Sequence, residues 1–237
     1  SIYIILIVLS NLLMGILGYV TLIKQYNFSF IWVGIQMIKR TVKEAYMFFL
    51  GRFLSLTFNF MTIFLIGVFY TMEQVSGFDV ALKIVLVCII PFDMLQQAVF
   101  PTITRSKNKR LLKRLVIGSF LVGLFFTFLL LFFGDSLLLL FGGKEMAIYG
   151  NVLKTLSPIP PIVALTFMLG TCTLVAFGHH KEYNQSLIIS SIIYLVVVGV
   201  LYFSENLSFW NLVYLRVFSD VCLLAIRMFY TIRLRIF

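Results

Sequence analysis

The chain has 237 residues, 61% of them hydrophobic and 12% charged, with a mean hydropathy of +1.05; a soluble domain is roughly 45–50% apolar and about 25% charged. Water alone cannot solvate such a chain, which excludes a soluble enzyme, a disordered tail and a disulfide scaffold, and its long apolar runs lack the period-two alternation of an outer-membrane barrel. The formal charge of +10, from 19 Lys and Arg against 9 Asp and Glu, would suggest nucleic acid in a soluble protein, so its placement along the chain decides what it means.

Seven apolar runs predict an all-α polytopic membrane protein of about seven transmembrane helices: Ile2 to Ile23, Tyr46 to Tyr70, Phe78 to Ala98, Val116 to Phe133, Pro161 to Phe177, Leu187 to Phe203 and Phe209 to Met228. Each is near the ~20 residues that cross ~30 Å of hydrocarbon, and a spanning segment must satisfy its own backbone hydrogen bonds, hence helix throughout. The first run has no basic residue ahead of it and no small-residue cleavage site behind it, so it is a span and not a signal peptide. Ser1, not Met, opens the chain, which suits a fragment. Between the first and second runs, segment 24 to 45 mixes Phe28, Phe30, Ile31, Trp32, Ile35 and Ile38 with Lys24, Lys39, Arg40 and Lys43, the pattern of a short interfacial helix. Segment 142 to 157, between two glycines and Pro158, Pro160 and Pro161, is expected to be a short surface helix closed by a rigid turn. The chain thus divides into residues 1–45, a helix and its linker, and residues 46–237, a six-helix lobe.

Charge alternates between the loops. Segments 24 to 45 and 99 to 115, the turn at Lys181 and the tail with Arg233 and Arg235 are basic, whereas 71 to 77, 134 to 160 and 204 to 208 hold only Lys144 and Lys154 as basic residues. The positive-inside rule makes the first set cytoplasmic, with the C-terminus inside. The net charge is then mostly a rim that meets anionic lipid headgroups, and no nucleic-acid partner is expected.

Ionisable side chains inside the spans are the candidate site, because a charge at mid-bilayer costs about 2.5–3.5 kcal/mol on insertion scales. Arg52, Lys83 and Asp93 lie about 7–9 Å inside their helix ends at ~1.5 Å per residue and could snorkel to the interface, but Asp220 lies near the midplane with Arg216 one turn away. On helical wheels Arg52, Ser55 and Asn59 share a face, as do Asp79, Lys83, Asp93 and Gln97, and as do Arg216, Asp220 and Arg227. We expect a hydrated cavity between these three helices, with Arg52, Lys83 and Arg216 binding an anion and Asn59, Asp93, Gln97 and Asp220 supplying polarity or ion coupling. The competing expectation is a set of paired charges that only glue helices together. Nothing points to covalent chemistry: there is no Gly-rich phosphate loop, no HExxH and no Ser-His-Asp set, and His179 and His180 share the turn GHHKEY with no further ligand nearby. Neither a catalytic residue, a bound metal nor a cofactor is expected; Asp220 could exchange H⁺ or Na⁺, or simply neutralise Arg216.

The stretch FFLGRF at Phe48 to Phe53, then GFDVALKI at Gly77 to Ile84 and IIPFDMLQQAVFPTITR at Ile89 to Arg105, resembles the polysaccharide and O-antigen flippases of the multidrug/oligosaccharidyl-lipid/polysaccharide exporter superfamily. The later order of basic loop, helix, FGGKEMAIYGNVLKTLSPI and three further helices is similar too. The resemblance implies a two-lobed exporter of about twelve helices in a bacterial inner membrane, of which residues 46–237 would be the C-terminal lobe and the N-terminal lobe would be a missing partner. It implies a substrate too, an undecaprenyl-pyrophosphate-linked oligosaccharide turned to the outer leaflet for O-antigen or capsule assembly, with polysaccharide polymerase machinery downstream. On matching positions it assigns Arg52 and Lys83 to the pyrophosphate. A peptidoglycan-precursor flippase or a drug exporter of the same superfamily is the alternative; a membrane glycan polymerase would need a larger outer loop than this one.

Overall fold

The computed structural model describes residues 2–26 and 34–236, and their side chains except at 2–4, 25, 26, 43, 44, 47, 48, 50–52 and 54–59. The described residues are helical with no strand: α1 (Ile2–Tyr26), α2 (Ile35–Phe69), α3 (Met72–Ser106), α4 (Lys109–Gly142), a 3₁₀ turn at Ala147–Tyr149, α5 (Gly150–Leu156), α6 (Ile159–Leu169) running into a π-helical turn at Gly170–Val175, α7 (His180–Phe203) and α8 (Phe209–Arg233). The chain forms two compact units, Ser1–Ala45 and Tyr46–Phe237.

Five helical stretches among the described residues are long and apolar enough to cross a membrane: Ile5–Lys24, Met72–Ser106, Lys109–Gly142, Ala147–Val175 and His180–Phe203. The chain is therefore an all-helical, membrane-embedded protein. The two remaining expected spans fall short of that description for different reasons. The second run is described apolar helix only over Phe60–Phe69, and α8 is long enough but carries Arg216, Asp220 and Arg227.

In the first unit, α1 exposes apolar side chains on every side, among them Leu6, Leu9, Leu13, Ile16 and Leu17, as a helix meeting hydrocarbon all round would. Of the expected interfacial helix over 24 to 45, Phe28, Phe30, Ile31 and Trp32 lie outside the described residues, and Ile35 and Ile38 belong to the first turns of the 35-residue helix α2.

The second unit is a bundle whose ends are set by local chemistry. Thr71 and Gln74 close a reciprocal capping box that starts α3. Lys107 turns left-handed at φ 46° and Asn108 then caps α4 through the Arg110 and Leu111 amides. At ~1.5 Å per residue α3 and α4 are each about 50 Å long, so both project beyond ~30 Å of hydrocarbon.

The core is made by Ile66 of α2, Phe78, Leu82 and Val85 of α3, Leu130 and Leu138 of α4, Leu153 and Leu156 of α5, Ile159 of α6, Tyr194 of α7 and Leu212 and Val213 of α8. A smaller cluster of Ile103, Leu112, Met168 and Cys172 joins the end of α3, the start of α4 and the π turn. Small residues let the helices approach: a methyl group on Gly123 of α4 would sit 2.5 Å from the Pro161 Cα of α6, the way membrane helices pack without a hydrophobic drive between them. Thr127 of α4 donates to the Ser157 carbonyl at 2.9 Å across the same seam.

Segment 142 to 157 does form a short helix, which lies at the surface with Asn151 exposed and packs its other face, Val152, Leu153 and Leu156, into the core. Ser157 and Pro158 form the turn into the next helix, and Pro160 and Pro161 occupy the first turn of α6, where a missing N–H costs nothing. The turn after the fifth run is shorter than expected, because α7 begins at His180 and takes Asn184 and Ser186 into a buried helical face.

Candidate functional site

Polar side chains gather at two levels of α8. Toward its start, Arg216 donates to the Asp220 carboxylate at 2.6 Å, and these side chains are 5% and 16% exposed. The spacing of four residues puts both on one face, as expected from the sequence. Ser219 lies 3.3 Å from the same Arg216 nitrogen and donates to the Arg216 carbonyl at 2.7 Å. Nearby, in the core cluster that includes Leu215 of α8, Tyr194 of α7 shares a buried 2.8 Å hydrogen bond with Thr62 of α2. This level ties three helices together around a neutralised pair.

One helical stretch further on, Arg227 is 3% exposed and its surroundings differ. Its guanidinium donates to the Thr166 carbonyl of α6 at 2.6 Å and to the Ser186 hydroxyl of α7 at 3.3 Å, and lies 4.6 Å from the centre of the Tyr183 ring, within cation–π range. The π turn makes this possible. It begins at Gly170, where a Cβ would fall 2.3 Å from the Arg227 nitrogen, so only glycine lets the guanidinium come this close to the helix. The Thr173 hydroxyl of the turn donates to the Met168 carbonyl at 2.9 Å. π turns inside α-helices are frequent at functional sites.

Arg227 forms part of the wall of a cavity of about 340 Å³ between α3, α6, α7 and α8, together with Asp93, Gln96, Thr166, Thr171, Tyr183 and Asn184. Asp93 is held by Gln97, whose amide donates to it at 3.0 Å. Two buried atoms of the lining, Gln96 Oε1 and Thr166 Oγ1, have no hydrogen-bond partner. Buried polar atoms are seldom left unmet, at a cost of about 1–3 kcal/mol each, so a cavity that keeps two of them is suited to something that supplies the missing bonds.

The sequence-predicted residues do not assemble into one cavity. Asp93 lines the polar cavity just described, and Gln97 reaches it only through its bond to Asp93. Arg216 and Asp220 form the closed pair nearer the start of α8. Lys83 pairs with Asp79 at 2.6 Å, with side-chain exposures of 69% and 32%, and lines a separate, mainly apolar groove of about 550 Å³ between α3 and α4 with Val80, Leu129, Leu137 and Phe141. The reason is rotation: the polar arc of about 80° on α3 at ~100° per residue is wide enough for Lys83 to face α4 while Asp93 faces α6 and α8. Arg52 and Asn59 fall in α2, but their side chains lie outside the described residues.

Sequence reasoning placed Arg227 on the polar face of α8 but did not assign it to the site, and it missed Gln96, Thr166, Thr171, Tyr183 and Asn184. For α7 a signal existed: Asn184, Leu187, Ser191 and Tyr194 recur at helical spacing and are all buried, a pattern masked by the hydrophilic run HHKEYNQ. For Thr166 there was none, since it is a single polar residue in an apolar run, and Gln96 adjoins Gln97, which lay on the face chosen from the helical wheel. Among the described residues no group of three or more His, Cys, Asp or Glu side chains could hold a metal ion.

The chain matches no model of a known protein family, no curated protein and no solved structure.

Proposed function

We propose that this chain is the C-terminal half of a transporter that flips an undecaprenyl-pyrophosphate-linked oligosaccharide from the cytoplasmic to the outer leaflet of a bacterial inner membrane, for surface polysaccharide assembly. The observation that carries the reading is Arg227: a buried cation held by a carbonyl, a hydroxyl and a ring and not by a carboxylate, beside a polar cavity with unfilled hydrogen-bonding capacity. Burying a charge without a charged partner is costly unless something else on the protein's working cycle meets it. An anionic headgroup with sugar hydroxyls does so: the pyrophosphate meets guanidinium and ammonium groups, and the hydroxyls meet Gln, Thr and Asn side chains. The apolar groove beside Lys83 suits the polyprenyl tail, with the Lys83 ammonium at its rim. The residues present hold, orient and neutralise, so the proposed work is transport and not catalysis, with Asp220 or Asp93 available for coupling to H⁺ or Na⁺.

Glycan display in a flippase-deficient bacterial strain tests the proposal, using the transporter that contains this lobe with the isolated chain as a control. Arg227→Ala is expected to abolish display, and Arg227→Lys to retain part of it because charge survives while the planar fork is lost. Display at the unmutated level from Arg227→Ala would reject the assignment of the cavity. The orientation is tested separately: single cysteines at Lys109 and Lys144, in a chain lacking Cys88, Cys172 and Cys222, are expected to label from opposite faces of the membrane.

A further inference from the structure

We propose that a second site, a shallow groove between α5 and the first turns of α8, binds a neutral sugar ring. The groove measures about 530 Å³ and is lined by Asn151, Lys154, Thr155, Trp210 and Tyr214. One wall is aromatic. Trp210 and Tyr214, one turn apart on α8, have ring centres 6.4 Å apart with planes inclined at 36°, and they are 41% and 57% exposed. The other wall is polar: Asn151, Lys154 and Thr155 fall at spacings of three and four on α5 and so share a face. An aromatic face opposite a row of amide, ammonium and hydroxyl groups suits a pyranose, whose C–H face lies on the rings while its hydroxyls reach the polar wall.

The charge of the groove selects the ligand class. Lys154 is its only cation, and its ammonium is bonded to the Asp135 carboxylate at 2.9 Å, the pair being 38% and 61% exposed. The groove therefore carries no net charge, which favours an uncharged polyhydroxylated ligand over a phosphate. This pair is built in: the Asp135 carboxylate presses against Gly150, where a Cβ would lie 1.9 Å from its oxygen, so glycine at the first position of α5 is what brings the two helices together here. The aromatic wall is equally fixed. Ser208 caps α8 by accepting from the Asn211 amide, the Asn211 side chain donates to the Asn206 carbonyl at 2.7 Å, and the buried Phe209 packs edge-on against Trp210 at 5.8 Å. A rigid platform loses little entropy on binding, which is what a weak, hydroxyl-rich ligand needs. As an exit subsite for the exported glycan the groove rests on the transport reading; as a sugar site it stands on its own geometry, so the two can fail separately.

Trp32 and Trp210 are the two tryptophans of the chain, which makes Trp210 a reporter once Trp32 is removed. The purified Trp32→Phe protein is titrated with D-glucose, D-galactose, N-acetyl-D-glucosamine and maltotriose, with sorbitol as the non-cyclic control and glycerol 1-phosphate and phosphocholine as lipid-headgroup probes. Saturable change in Trp210 fluorescence with at least one cyclic sugar, at a Kd on the order of 1 mM as its small size implies, is the expected result. Asn151→Ala with Thr155→Ala in the same background should weaken it about tenfold, the loss of one or two hydrogen bonds, while size-exclusion behaviour stays unchanged. Equal, non-saturating response to sugars and sorbitol would overturn the proposal. So would response to the headgroup probes alone, which would make the rings a membrane-interface belt, and so would sugar binding that survives both Asn151→Ala with Thr155→Ala and Tyr214→Ala.

Discussion

Arg216 and Arg227 stand eleven residues apart on one face of α8 and are both buried, yet the protein handles their charge in opposite ways. Arg216 has its counter-ion four residues along its own helix, 2.6 Å away. Arg227 instead lies against atoms of α6 and α7, a carbonyl, a hydroxyl and an aromatic ring. The first arrangement neutralises the charge within a single helix. The second is completed only by tertiary packing, next to a cavity with unmet polar atoms, and so it remains able to respond to an incoming anion. A buried charge in a membrane bundle is thus better judged by where its partner comes from than by its depth.

The comparison breaks most sharply at Asp220. Asp220→Ala strands the Arg216 guanidinium in low dielectric and should cost roughly 3–5 kcal/mol, as for other buried pairs deprived of one partner. A large fall in the thermal midpoint of the detergent-solubilised protein would register it. Arg216→Met combined with Asp220→Leu should recover most of that loss, because a well-packed apolar pair of similar volume is often as stable as the ions it replaces. If export returns with stability, the pair is structural glue; if stability alone returns, it takes part in transport.

Arg227→Ala should be milder in stability, about 1.5–3 kcal/mol, since it removes charge-assisted hydrogen bonds without orphaning an opposite charge. No single apolar replacement elsewhere is expected to rescue it. A loss larger than that of Asp220→Ala, measured in the same thermal assay, would reverse the contrast between the two arginines.

Gly170→Ala sharpens the picture from the backbone side. The new methyl would lie 2.3 Å from the Arg227 nitrogen and must displace the guanidinium, at about 1–3 kcal/mol, typical of overpacking. Export should fall with it, and if Arg227→Ala is combined with Gly170→Ala the two stability losses should not add, because they disturb one contact.

The smallest effect is expected at Lys83. Its bridge to Asp79 is largely exposed, and such pairs contribute about 0–1 kcal/mol, so Lys83→Ala should leave the thermal midpoint nearly unchanged. If export nevertheless falls, Lys83 acts on the substrate; if neither moves, it is a surface ion pair on an apolar groove.

The sequence by itself determined that this is a helical membrane protein, because apolar runs of the length of a bilayer leave the backbone no other way to satisfy its hydrogen bonds. It also determined the Arg216–Asp220 pair, since a spacing of four residues on a helix is a contact. Boundaries were harder to read. Phe78 to Ala98 became Met72–Ser106, because a helix runs on through polar residues until a cap such as Thr71 or a left-handed residue such as Lys107 ends it, and hydropathy records only the part in hydrocarbon. Only the tertiary structure decided that Lys83 and Asp93 face different cavities, that α5 packs Val152, Leu153 and Leu156 into the core, and that Gln96, Thr166, Tyr183 and Asn184 meet around Arg227. Those contacts join residues far apart in the chain, 61 positions for the bond from Arg227 to Thr166, and they depend on small local features, the Gly170 π turn and the Gly123–Pro161 approach, whose consequences appear only when a neighbouring helix is placed against them.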